Sequence, residues 1–134
     1  MVQRIYPADL PAFSLYSPAV RVGNLIFLAG QLPINAEGDV EGVGDVVGQT
    51  RQVLENIRLV LAAAGASLRD VVKTTVFLVD MRHFAQMNEV YGQYFADALP
   101  ARTTVQVAAL AEARCLIEID AVAARPQKRA RRSS

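Results

Sequence analysis

The chain holds one cysteine and one histidine, and each shortage closes off a class of chemistry. A lone Cys115 has no second thiol for an internal disulfide. Lone His83, with no carboxylate cluster around it in the sequence, gives no metal-ligand spacing. Nor do Ser14, Ser17 or Ser67 find a nucleophile-base arrangement, and no glycine-rich loop of the phosphate-cradling kind is present. The opening MVQRIYPADL lacks the basic and apolar segments of a signal peptide. No apolar run approaches the roughly 20 residues that span a bilayer. The expectation is a cytoplasmic protein without metal or membrane partner. Charge of one sign is also missing: 14 Lys and Arg against 13 Asp and Glu leave a net charge of +1, so no nucleic-acid partner is expected. The dense basic cluster is the tail QKRARRSS after Pro126.

What is present is apolar. In 134 residues, 52% are hydrophobic and 20% charged, enough for one domain with a sizeable core. Such richness in a small chain suggests apolar surface buried against another subunit. The domain is expected over residues 1–125, and residues 126–134 as a disordered basic tail.

Along the chain, Val2 to Tyr6 reads as a short edge strand. The proline-punctuated stretch from Pro7 to Pro18 reads as a loop. That loop carries Phe13 and Tyr16, which either cap the core or, for Tyr16, offer a hydroxyl to a ligand. Ala19 to Val22 and Leu25 to Ala29 read as strands joined by the Gly23-Asn24 turn, whose residues supply positive φ angles. Leu25-Ile26-Phe27-Leu28 is apolar at every position, the pattern of a central strand covered on both sides. Gly30-Gln31 ends it, at a place where backbone approaches something closely.

Asp45 is the expected N-cap of a helix over Val46 to Ala64, with Gly65 at the left-handed position after it. Its polar side would hold Gln49, Gln52, Glu55 and Arg58. The Ser67-x-x-Asp70 spacing predicts a short capped turn. Val71 to Val79 is a β-branched strand. Asp80 caps a second helix over Met81 to Ala98, with Phe84, Met87, Tyr91, Tyr94 and Phe95 in its apolar stripe and Asn88 at the margin. After Leu99-Pro100, the strands Thr103 to Val107 and Leu116 to Ala123 close the domain. The order β-β-β-α-β-α-β-β predicts a two-layer α+β sandwich with both helices on one sheet face. The other face also carries apolar residues, which favours an oligomer.

Two charges in the last two strands stand out: Arg102 after Pro100-Ala101, and Glu118 between Ile117 and Ile119. A guanidinium can hold a carboxylate by paired charge-assisted hydrogen bonds, and a carboxylate can hold or deprotonate a water. They could equally be members of structural ion pairs. If the last two strands formed a simple hairpin, Arg102 would face Val122, about 13 Å of strand from Glu118. A shared site therefore needs another strand order or two subunits.

In order, the markers are Gly23-Asn24-Leu25, Ala29-Gly30-Gln31-Leu32-Pro33 and Val71-Val72-Lys73-Thr74-Thr75-Val76-Phe77. Met87-Asn88-Glu89-Val90-Tyr91, Pro100-Ala101-Arg102 and Ile117-Glu118-Ile119 complete the series. Together they resemble the Rid family of reactive-intermediate deaminases, the YjgF type, over about Ala12 to Arg125. The resemblance implies a chorismate-mutase-like fold with a mixed six-stranded sheet, the last strand inserted within it. It also implies a homotrimer with sites between subunits. The implied reaction is hydrolysis of 2-imino acids such as 2-iminobutanoate and 2-iminopropanoate to 2-keto acids and ammonia, without a cofactor. By the same resemblance, Arg102 would hold the substrate carboxylate and Glu118 would position the water. Tyr16, Asn88, Gly30 and the backbone at Thr104 would line the pocket. Ala29 stands where many members have serine, and Thr104 where cysteine is frequent. A pathway-specific relative, such as an aminomuconate-type deaminase, and a trimer that binds small acids without turnover are the alternatives.

Overall fold

The computed structural model describes residues 1–11 and 15–126. The expectations for Phe13 and for the basic tail from residue 127 onward lie outside them. Six strands are arranged as β1 (Val2–Ile5), β2 (Ala19–Val22), β3 (Leu25–Gln31), β4 (Val71–Leu78), β5 (Ala101–Gln106) and β6 (Ile117–Ala124). They form one sheet in the order β1-β2-β3-β6-β4-β5, mixed because β4 and β5 run parallel while the other neighbours are antiparallel. The last strand is thus threaded between β3 and β4. The simple β5–β6 hairpin does not form, and residues 107–116 instead carry the chain over β4.

Helices α1 (Val46–Ala63) and α2 (Phe84–Phe95) pack on the same face. Between them and the sheet lie Ile26, Leu28, Val76, Leu78, Ile117 and Ile119 from the strands, and Val53, Leu54, Ile57, Leu61, Met87 and Phe95 from the helices. The caps read from sequence are in place: Asp45 accepts from Val47 N at 3.1 Å, and Gly65 follows α1 at φ 77°. At the far end of α1, buried Arg21 of β2 donates to Ala64 O at 2.9 Å, a cation answering the helix's orphan carbonyls.

Several expectations need correction. In the turn between β2 and β3 only Gly23 has a positive φ; Asn24 does not. The second helix is shorter than its pattern. Met81–His83 forms a 3₁₀ turn, because Asp80 both caps Arg82 N and pairs with the Arg82 side chain, and α2 then ends at Phe95. Phe84, read as core, is more than a third exposed. Gln49, read as solvated, is fully buried. Its amide donates to Arg114 O at 2.9 Å and accepts from Leu116 N at 2.7 Å, fastening the chain just before β6. β3 continues through Gly30 to Gln31 by a bulge, in which Ala29 and Gly30 oppose the single residue Asp120. β5 begins two residues earlier than read, so Arg102 lies inside it.

One expectation is only half met. β3 is covered on its helix side, but Leu25 and Phe27 on the outer side remain 42% and 44% exposed. With Val22 and Val105 they leave that face apolar and bare in the single chain.

Candidate active site

Register fixes which way each candidate points, because paired residues on neighbouring strands share a sheet face. Thr74 of β4 pairs with Arg102 of β5 and with Ala121 of β6, and it is buried under α2. Arg102 therefore lies on the helix side. Phe77 pairs with Glu118 and Thr75 with Asp120, which puts both carboxylates on the bare outer side. Within one chain the two charges stand on opposite faces.

The helix-side cluster is built around Arg102. Its Nη1 donates to Asn88 Oδ1 at 2.8 Å, and its guanidinium lies 4.6 Å from the Tyr91 ring centroid and 5.5 Å from that of Phe84. Asn88, Tyr91 and Phe84 share one side of α2 at three- and four-residue spacing, which is why a single helix can present all of them to one side chain. Arg102, Asn88, Tyr91, Gly92, Leu99 and Pro100 line an open groove of about 400 Å³. Thr104 is two residues further along β5 on the same face, half-buried, paired with Val76.

The outer cluster is built around Glu118. Gly30 makes it possible. A Cβ at residue 30 would lie 2.8 Å from the Glu118 carboxyl carbon, so only glycine lets that side chain lie across β3. Burial, and then the neighbouring Asp120 carboxylate, push the Glu118 pKa above the usual glutamate range. Tyr16 is close enough to feel that charge. Burial first, and Glu118 second, raise its phenol. Tyr16 and Gly30 also line a small cavity with Leu10, Gln31, Leu32 and Asn56. Asn56, fully engaged, donates to Leu32 O and Ile34 O and so holds that wall. Ala29 sits in the bulge, its N–H bonded to Pro18 O at 2.9 Å and its carbonyl to Gln31 Nε2 at 3.1 Å.

Thus the structure brings Arg102 and Asn88 together, with Thr104 alongside, and separately brings Tyr16, Gly30 and Glu118 together, with Ala29 in the adjoining bulge. It does not bring the two groups together in one chain. None of the ion pairs among the described residues includes Arg102 or Glu118. A guanidinium on an aromatic platform can take a small carboxylate, and a carboxylate whose pKa is raised is a better proton acceptor than a free one. Sequence reasoning missed Phe84, Tyr91 and Thr74 as neighbours of Arg102, and Asp120 as neighbour of Glu118. The available signal was polar atoms in apolar runs: a tyrosine hydroxyl in the α2 stripe and Thr74 within VVKTTVFL. Cys115 is buried two residues before β6, its thiol pushed up to about 11 chiefly by burial, and carries no part of either cluster.

Comparison with known proteins gives the same outline. The family model described as endoribonuclease L-PSP matches residues 7–125. A RutC family protein of Pyrococcus horikoshii is 53% identical over 108 residues, covering 81% of this chain and 85% of its own. The 3-aminoacrylate deaminase RutC of Acinetobacter baylyi is 42% identical over 113 residues, covering 84% and 89%. The crystal structure of E. coli TdcF with bound serine superposes with a TM-score of 0.85 at 38% identity, over 92% of this chain and 98% of that one. Fold, motif order and these relatives agree: the chain belongs to the endoribonuclease L-PSP family, the Rid or YjgF type.

Proposed function

We propose that the protein hydrolyses 2-imino acids, such as 2-iminobutanoate and 2-iminopropanoate, to 2-keto acids and ammonia. The sites would lie between the subunits of a homotrimer. One observation carries the reading: Arg102 is held by Asn88 and two aromatic rings at an open groove, with no carboxylate of the described residues paired to it. A cation so fixed suits a small acid. The bare apolar outer face supports assembly, and assembly is what could carry the Glu118 cluster of one copy to the Arg102 groove of the next.

In this reading Arg102 binds the substrate carboxylate by two parallel N–H···O bonds, which fixes the adjacent C2. Glu118 accepts a proton from water as the water oxygen bonds to C2, and the electron pair of C=N moves to nitrogen. Glu118 returns that proton to nitrogen, which completes the carbinolamine, and transfer of the carbinolamine O–H proton through Glu118 to nitrogen then lets ammonia leave as C=O forms. A raised pKa suits Glu118 to both proton steps. Tyr16, Gly30 and Ala29 line the water side, and Asn88 and Thr104 the carboxylate side.

The relative named as a 3-aminoacrylate deaminase favours a second reading, an enamine acid with its nitrogen on C3. A substrate panel that includes 3-aminoacrylate and an aminomuconate distinguishes these. The description of the matched family as an endoribonuclease finds less support, since the site is one cation and one carboxylate on a chain of net charge +1.

The test is ammonia release from enzymatically generated 2-iminobutanoate. Wild type should accelerate it. Arg102→Ala should lose about 10- to 100-fold in kcat/KM, the worth of a charge-assisted pair. Equal rates for wild type and Arg102→Ala would refute the reading. So would binding of 2-oxobutanoate without any turnover, which is the behaviour of a non-catalytic acid-binding trimer.

A further inference from the structure

Among the described residues, Tyr91 is the ring closest to Arg102, yet its hydroxyl points elsewhere. It shares a hydrogen bond of 2.7 Å with Thr74 Oγ1, and both residues are buried. Thr74 is in turn the strand partner of Arg102 across β4 and β5. The three side chains close a triangle: Thr74 and Arg102 side by side on the sheet, and Tyr91 descending from α2 onto both. Phe95 backs the tyrosine, ring centroids 4.6 Å apart and tilted by 39°.

Packing does not require that triangle. A phenylalanine at 91 and a valine at 74 would fill the same volume, and replacing both members of a buried hydroxyl pair by apolar groups of the same shape is nearly neutral. The pair does fix something that apolar packing would not: the height and tilt of the Tyr91 ring against the sheet. The face of that ring, 4.6 Å from the guanidinium, sets where Arg102 rests. Asn88 then takes one N–H, and the rest of the fork is left for a ligand in the groove that Asn88, Tyr91 and Arg102 line.

We propose that Tyr91, locked by Thr74, is a positioning residue for Arg102, setting the plane in which the guanidinium meets the substrate carboxylate. The inference rests on the acid-binding role of Arg102 and adds to it a pair that acts through Arg102: Tyr91 at the wall of the groove and Thr74 buried behind it.

The experiment compares wild type, Thr74→Val, Tyr91→Phe, Tyr91→Leu and Arg102→Ala. Its readouts are KM and kcat for 2-iminobutanoate, the Kd for 2-oxobutanoate, Tm, and the NMR signal of the Arg102 Nε–H, assigned with Arg102→Lys. Tyr91→Leu should raise KM and Kd about tenfold, with a smaller change in kcat. Tyr91→Phe, which keeps the ring, should recover most of that loss. Thr74→Val should shift the Arg102 signal in the same direction as Tyr91→Leu, by less. If Tyr91→Leu and Thr74→Val lower Tm but leave the Arg102 signal, KM and Kd at their wild-type values, the pair is structural and the proposal falls. If the Arg102 signal moves as expected while neither wild type nor Arg102→Ala binds or turns over an acid, positioning stands and the imino-acid reading falls.

Discussion

Glu118 is stabilised in its neutral form by burial and by Asp120, and this has opposite consequences for stability and for catalysis. A carboxyl whose folded pKa lies above its unfolded value favours folding below the unfolded value, near 4.3, and loses that contribution as pH rises through the folded one. At pH 8 the charged, half-buried carboxylate therefore works against the fold. Glu118→Gln removes the charge and keeps the shape. Its Tm should exceed that of wild type at pH 8, and the gap should close as pH falls through the carboxylate range. Its kcat for 2-iminobutanoate should fall by about 10²- to 10⁴-fold, the usual worth of a general base. Thermal scans between pH 4 and pH 8 beside initial rates check both. A Tm below wild type at pH 8 would mean that Glu118 is held by a structural contact. Arg102 is held by geometry instead: Asn88 accepts one of its N–H groups and the ring of Tyr91 lies against the guanidinium, which restricts its orientation.

Elements deliver these residues, and the link that matters most runs through Gln49. From within α1 it receives Leu116 N–H and donates to Arg114 O, so it sets where β6 begins, one residue before Glu118. Gln49→Leu would fill the space but leave an N–H and a carbonyl without partners. Each such group costs about 1–3 kcal/mol when buried. The variant should unfold at lower denaturant. It should also lose kcat more than KM, since it disturbs the Glu118 side and leaves the Arg102 groove alone. Urea unfolding and steady-state rates test this together; an unchanged midpoint would mean that water replaces the amide. The same residue shows where sequence reading stops. Asp45, Gly65 and the β-branched run of β4 act within a turn or two of themselves, so their roles are written locally. Gln49 is a polar residue at a helix position that looks solvated, and its partners are 65 and 67 residues away. Phe84 fits an apolar stripe, and nothing local says that it stands partly exposed beside the Arg102 guanidinium. Arg102 and Glu118 were visible because charges inside apolar runs are anomalies. Their opposite faces were not, because facing depends on β4 standing between their strands.

At the scale of the whole molecule, that opposition becomes the strongest reason to expect a shared site. One chain presents the Arg102 groove beside β5, an edge strand among the described residues, and presents the Glu118 cluster on an apolar face that it leaves bare. In the proposed reaction each would be half of the chemistry. In a cyclic trimer every site would take Arg102 from one copy and Glu118 from its neighbour. Arg102→Ala and Glu118→Ala subunits, each strongly impaired as homotrimers, then complement one another. Any mixed ring contains one junction where an intact Arg102 meets an intact Glu118. With random 1:1 assembly three rings in four are mixed, each with one of its three sites whole, so about a quarter of wild-type activity should return. Co-expression with two affinity tags, tandem purification and an ammonia assay measure it, and light scattering gives the ring size. If mixed rings stay as impaired as their parents, the two residues act in separate sites. If the assembly is a dimer, a single mixed species carries one whole site of two, and the random mixture, half of it mixed, again gives about a quarter. Assay of the doubly tagged rings alone separates these cases, a third of wild type for the trimer against a half for the dimer.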